Sequence, residues 1–238
     1  MVNFNSMTYL EAHNSLHTEK DLEKAVFLQR FFKTGPGQYG EGDQFLGISV
    51  PVIRALAKKF RTLAIKDIQK LLKSPFNEER SLALFILVDQ YQKSDEPLQT
   101  KIYEFYLNKT QYINNWNLVD SSSYHIVGHY LLEKPRTPLY KLAKAASLWE
   151  RRIAIVSTLY LIRHQQFEDT FKLTTALLKD KEDLIHKACG WMLREVGKKN
   201  ERALEQYLHL HGKNMPRTML RYAIERFSQP KRLRFLRT

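Results

Sequence analysis

The chain has 238 residues, 43% of them hydrophobic, and 38 Lys and Arg against 25 Asp and Glu, for a formal net charge of +13. That apolar content supplies a core and excludes an intrinsically disordered chain, while the cationic excess points to a polyanionic partner, nucleic acid first and an anionic membrane surface second. The one cysteine, Cys189, excludes an internal disulfide, and no apolar run approaches the ~18 residues a membrane span needs. Residues 1–5 show no basic start leading into an apolar stretch, so no signal peptide is read and a cytoplasmic protein is expected.

Alternating strand patterns are absent, and most of the 9 Gly and 8 Pro fall between segments of helical period, so the chain is expected to be all-α. In chain order, helices are predicted over 6–16, 19–33, 51–60, 65–73, 77–93, 96–108, 117–133, 137–146, 150–165, 167–179, 183–199, 201–211 and 216–227. Pro51 suits a first helical position, and Asn77 precedes Glu78 and Glu79 as a cap with acidic first-turn residues. The stretch 35–40 matches G-x-G-x-x-G, but a helix rather than a strand precedes it, and Glu41 and Asp43 at its end repel phosphate. It reads as an inter-helix loop.

His125, His129 and Glu133 form one helical stripe, yet Ile126 stands where a zinc-protease motif needs glutamate, so no metal site is expected there. Cys189 lies in an apolar helical stretch and reads as a buried structural thiol. The segment 217–238 holds seven cations and the single acid Glu225. Either it grips phosphates or it is a solvated basic terminus.

A loose repeat runs through the helices. Arg80, Asp120, Arg152 and Lys187 each precede an apolar helical core, at spacings of 40, 32 and 35 residues. Helical hairpins of the HEAT or armadillo kind repeat in this range, and equivalent positions line up along one side. The expected architecture is a curved α-solenoid of HEAT-like hairpins whose concave basic face carries that row; an irregular helical bundle is the alternative. The whole chain, 1–238, is read as one domain, with N-terminal helices and the Gly-rich loop over 1–46 and a basic segment over 217–238.

Chemistry concentrates between Trp116 and Trp191. Trp116 and Asp120 are four apart and share a helix face, as do Lys187 and Trp191, with Arg194 three residues on. Arg151 and Arg152 lie between them in sequence. A carboxylate beside indole faces within a ring of cations suits positive charge developing on a sugar held by its phosphates; alternatively, both tryptophans are core residues.

These residues resemble a known family, the bacterial AlkD-type DNA glycosylases with HEAT-like repeats. The resemblance runs from about residue 20 to 200 and rests on 45–51 with Arg54, on 116–120, on 149–155 with Arg152, and on 187–195. It implies excision of N3- and N7-alkylated purines, such as 3-methyladenine and 7-methylguanine, from double-stranded DNA in base excision repair. It also implies a monomer that needs no metal or other cofactor. By position, Asp120 is similar to the family's catalytic carboxylate, Trp116 and Trp191 to its aromatic walls, and Arg152 to its phosphate-holding arginine. Phe31, Ser49, Val50, Pro51, Arg54, Arg80, Arg151, Lys187, Arg194 and Arg221 complete the expected DNA contacts. Phe31 stands where the family has a tyrosine, and Val50 replaces a polar residue. A non-catalytic HEAT-repeat protein that binds damaged or branched DNA is the alternative, and a protein-interaction scaffold is a third reading.

Overall fold

The computed structural model describes residues 7–237. The stretch read for a signal sequence (1–5), the first residue of the predicted helix 6–16, and Thr238 lie outside the described residues. The chain is all-α, with helices α1 (Tyr9–His17), α2 (Leu22–Phe31), α3 (Val50–Lys59), α4 (Ile65–Leu72), α5 (Asn77–Lys93), α6 (Glu96–Leu107), α7 (Trp116–Ser123), α8 (Thr137–Leu142), α9 (Leu148–Arg163), α10 (Glu168–Ala176), α11 (Asp183–Lys199), α12 (Glu201–His211), α13 (Arg217–Ala223) and α14 (Gln229–Leu236). Among the described residues β pairing is limited to one isolated parallel bridge, Gln44 to Phe76. No helix among them is long and apolar enough to cross a membrane. The chain divides into two compact units, residues 1–122 and 123–238.

In the first unit, local signals set the helix ends. Thr8 and Glu11 form a reciprocal capping box at α1. Asp21 accepts from the Lys24 amide at α2, and Asp95 does the same for Leu98 at α6. Helices α3 and α4 pack on α5, and α1 on α3 and α4. Helix α5 is buried without a break from Asn77 to Leu87. A helix apolar all round belongs inside a layered array, and the run 82–87 is of that kind.

The first turn of α5 is the exception to that apolar character. Asn77, Glu78, Glu79 and Arg80 are all buried, and each side chain holds a different segment. Glu78 accepts the amides of Leu46 (3.0 Å), Gly47 (2.9 Å) and Ile48 (3.3 Å). Burial pushes its carboxyl above the ordinary range even though the three amides pull it down. Gly47 is required there: its φ is +84°, and an added Cβ would lie 2.0 Å from the Asp21 carbonyl oxygen. Arg80 donates Nη2 to Asp43 Oδ1 at 2.5 Å and Nη1 to the carbonyls of Ser74 and Pro75. Asp43 Oδ2 in turn accepts from Asn77 (3.0 Å) and Asn115 (2.9 Å).

In the second unit α11 packs against α9, α10, α12 and α13, and α9 also meets α8 and α10. Helix α9 is buried almost throughout from Arg152 to Ile162. Gly190 lets α13 approach closely, since an added Cβ would lie 2.5 Å from the Met219 carbonyl oxygen. The basic C-terminal segment is not a bare solvated terminus. Beyond α13 it folds as α14, a helix absent from the predicted set, with Phe235 buried and Lys231 paired to Glu201 and Glu205.

One predicted helix, 117–133, is not continuous. Helix α7 ends at Ser123, and a π-helical turn follows over Tyr124–Gly128. Ser121 and Ser122 donate back to the carbonyls of Asn117 (2.7 Å) and Leu118 (2.6 Å). Hydroxyls bonding back to i−4 carbonyls loosen a helix and bend it, and π turns arise in such places. Ser121 and Ser122 therefore act on the backbone of α7.

Because the Arg80–Asp43 pair is buried and fully hydrogen-bonded on the aspartate side, Asp43→Ala leaves an uncompensated guanidinium in the core. Urea denaturation is expected to show a loss of about 3–5 kcal/mol, with part of it restored by the double substitution Asp43→Ala with Arg80→Met. An unchanged midpoint for the single variant would contradict this assignment.

Candidate active site

Helix α7 carries Trp116 and Asp120, and its start is held by the network just described. Asn115 is fully buried; its Nδ2 donates to Asp43 and its Oδ1 accepts the Trp116 amide at 2.8 Å. Asn117 Nδ2 donates to Asn77 Oδ1 at 2.7 Å. The two asparagines thus tie the first turn of α7 to the first turn of α5 through Asp43 and Asn77.

Trp116 is half-buried in an aromatic cluster. Its indole stacks on Phe32 (4.9 Å between ring centroids, 17°), which stacks on Phe45 (4.8 Å). Phe31 meets Trp116 edge-on at 6.0 Å. Phe31 is 53% exposed and stacks on Phe27, which is 65% exposed. Phe27 was not among the sequence-derived site residues; its position one helical turn before Phe31 was the available signal. Trp116 therefore answers to both sequence readings, with one indole face in the core cluster and part of the side chain accessible.

Asp120 is half-buried, one turn after Trp116, beside the fully buried Tyr106. Tyr106 is hydrogen-bonded to Ser122 Oγ at 2.8 Å. Burial pushes the Tyr106 phenol up, the Ser122 contact pulls it back, and the Asp120 carboxylate adds to the rise.

In the second unit, Trp191 is half-buried and donates Nε1 to Glu195 Oε1 at 3.2 Å, and Glu195 also accepts from Lys198. Lys187 pairs with Asp183 at 2.8 Å, and Arg194 pairs with Glu225. Cys189 is fully buried and burial pushes its thiol up to about 12, consistent with a structural role.

Several expected DNA contacts are corrected by their surroundings. Arg80 is only 4% exposed and is spent on Asp43 and two carbonyls, so its guanidinium is not presented at the surface. Arg151 donates Nε and Nη2 to Asp180 (2.6 and 3.2 Å) and Nη1 to the Ala145 and Ala146 carbonyls, a fully internal role. Arg152 is 5% exposed and donates Nη1 to the Leu184 carbonyl. The expected row of surface side chains at repeat-equivalent positions therefore loses two of its four members to the core. Their remote partners, Asp43, Asp180 and the Leu184 carbonyl, are 29 to 37 residues away in sequence.

Other expected contacts are accessible. Ser49, Val50 and Pro51 are exposed around the start of α3. Arg54 is exposed, with its guanidinium 4.3 Å from the Phe85 ring centroid. Arg221 is exposed on α13, and Arg232, Arg234 and Arg237 are exposed in and just after α14. The Gly-rich loop turns its amides inward: Gly35 to Gln38, Gly37 to Glu41 and Gly40 to the Lys33 carbonyl. No free amide cradle for phosphate arises from these three.

Comparison with known proteins gives consistent matches. The family model described as DNA alkylation repair enzyme matches residues 12–227. Among solved structures, one described as a predicted DNA alkylation repair enzyme from Enterococcus faecalis is similar at 19% identity. The match has a TM-score of 0.68 and covers 89% of this chain and 98% of that one. That likeness shows a shared fold. No curated protein matches the chain.

Since Trp116 packs on Phe32 with part of its surface open, Trp116→Ala is expected to cost about 2–3 kcal/mol in urea denaturation, below the ~3–5 kcal/mol of a fully buried aromatic. Arg221→Ala, at an exposed position, is expected to stay within about 0.5 kcal/mol of the parent. Equal effects of the two would argue against the aromatic cluster.

Proposed function

Because the chain belongs to the DNA alkylation repair enzyme family, we propose that it is a monofunctional DNA glycosylase that hydrolyses the N-glycosidic bond of N3- and N7-alkylated purines in double-stranded DNA, acting as a monomer in base excision repair. A role in the repair of alkylated DNA follows from the family; the reaction and its residues are the proposal. The observation that supports it most is the pairing of Asp120 with Trp116, one turn apart on a helix whose start is locked by Asn115, Asp43 and Asn77.

Alkylation at N3 or N7 makes the purine cationic, so the base is already a good leaving group and needs no protonation. The bond from C1′ to the purine nitrogen breaks, its electron pair neutralises the departing base, and positive charge builds on the sugar. Water then adds to C1′ and releases a proton. Asp120 stabilises the oxocarbenium-like sugar and orients that water. Trp116 presents an electron-rich face to the same charge, and the family resemblance alone assigns Trp191 a like role. Positioned groups of this kind are worth roughly 3–4 kcal/mol each, or about 10²–10³ in rate.

The cationic residues divide by environment. Exposed Arg54 and Arg221, with Ser49 and Pro51, are proposed to hold the DNA backbone, which fixes register without reading sequence. Lys187 and Arg194 belong to the same proposal, each drawing on a carboxylate, Asp183 or Glu225, that it exchanges for phosphate. For buried Arg152 a positioning role in the α9–α11 packing is favoured over a direct phosphate contact. Phe31 and Val50, both exposed and apolar, offer contact area without hydrogen bonds.

Asp120→Asn is expected to keep DNA affinity and lose at least about a hundredfold in release of 7-methylguanine from methylated DNA, read by chromatography of free base. Unchanged release removes Asp120 from the mechanism. Binding without release by the parent protein would instead favour the non-catalytic reading. Separately, Arg54→Ala and Arg221→Ala are each expected to reduce the slope of log K against log salt by about 0.9, the signature of one lost phosphate contact.

A further inference from the structure

Glu79 is the one member of the α5 first turn whose partners are both histidines. His13 and His17 lie four apart on α1 and present ring nitrogens to the same carboxylate oxygen. His17 Nε2 is 2.6 Å and His13 Nδ1 3.0 Å from Glu79 Oε1. The two imidazoles lie 4.0 Å apart between ring centroids. Glu79 is 1% exposed, while both histidines are part-exposed, so the cluster has a dry side and a solvent side. Glu79 Oε2 makes no hydrogen bond, and His13 Nδ1 makes none of good geometry although it lies 3.0 Å from Glu79 Oε1. Buried polar atoms are nearly always satisfied, and an orphaned carboxylate oxygen facing two imidazoles calls for a ligand.

We propose that His13, His17 and Glu79 form a binding site for a divalent first-row transition metal of the zinc type. One ligand atom from each residue lies within 4.8 Å of the others, the only such convergence of three His, Cys, Asp or Glu side chains among the described residues. Two imidazoles four apart on one helix plus a carboxylate from another is a donor set that suits zinc; calcium and magnesium take oxygen ligands. Metal–ligand bonds near 2.0–2.2 Å put tetrahedral donors roughly 3.3 Å apart. Binding therefore widens the short His17–Glu79 contact and draws together donors that now lie within 4.8 Å of one another. Glu79 Oε2 or a water completes the coordination.

The surroundings hold the rings in place. Phe76 meets His17 edge-on at 5.3 Å, and Tyr9 lies 5.6 Å from His13. Burial and the Glu79 carboxylate both push the Tyr9 phenol up, while nearby Lys70, itself paired with Asp67, pulls it down. A bound cation ties α1 to the same turn of α5 that anchors the loop 46–48 and Asp43. Its role is structural, and it is independent of the glycosidic reaction.

The test uses full-length protein freed of metal by chelator dialysis, then titrated with zinc chloride against a chromophoric chelator and with cobalt chloride. One equivalent is expected, with visible cobalt absorption of a nitrogen–oxygen site. A Tm rise of about 5 °C or more is expected at a hundredfold excess over Kd. The double variant His13→Gln with His17→Gln, shown to be folded by circular dichroism, is expected to lose at least tenfold in affinity together with the Tm response. Should it not fold, His13→Gln alone carries the comparison. Absence of stoichiometric binding by the parent protein, or affinity unaltered in the variants, would overturn the assignment.

Discussion

Four consecutive buried polar side chains at the start of α5 organise the first unit. Asn77, Glu78, Glu79 and Arg80 reach, respectively, α7 at Asn117, the loop before α3, α1 and the Asp43 loop. A buried network of this kind is stabilising only when its members are satisfied, and here Asp43 takes three donors and Glu78 three amides. Its value is geometric. It sets the start of α7 and hence where Trp116 and Asp120 stand.

Internal pairing of this kind, in both units, makes net charge a poor guide to which cations are accessible. The +13 excess still supports attraction to a polyanion. Yet Arg80, Arg151 and Arg152 are consumed inside the fold by Asp43, Asp180 and main-chain carbonyls. The accessible charge lies instead on residues such as Arg54, Arg221 and the arginines of α14.

Much of the fold was legible in the chain. Helical period located α5, α11 and α12 to the residue, although only α12 has a side-chain cap, Asn200, and the expected cap Asn77 is instead the first residue of α5, after Phe76 at the N-cap. Spacing also placed Trp116 with Asp120, and Phe31 proves to touch Trp116. What escaped depends on partners far apart in sequence or on local backbone competition. Arg80 reads as a surface cation until Asp43, 37 residues earlier, is known to meet it. His13 and His17 are visibly paired, but Glu79 is 62 residues from His17. The π turn after α7 needs the serine back-bonds, which periodicity does not report. Helix α14 was hidden by its charge, since three of its eight residues are cations and only Phe235 is buried.

For the proposed chemistry, the most direct measurement is incubation of the parent protein with a duplex oligonucleotide carrying one 7-methylguanine, followed by alkali cleavage at any abasic site. The account predicts strand scission at the lesion position alone, with free 7-methylguanine in equal amount and no added metal or nucleotide required. An intact strand, with the protein demonstrably bound to the duplex, would contradict it.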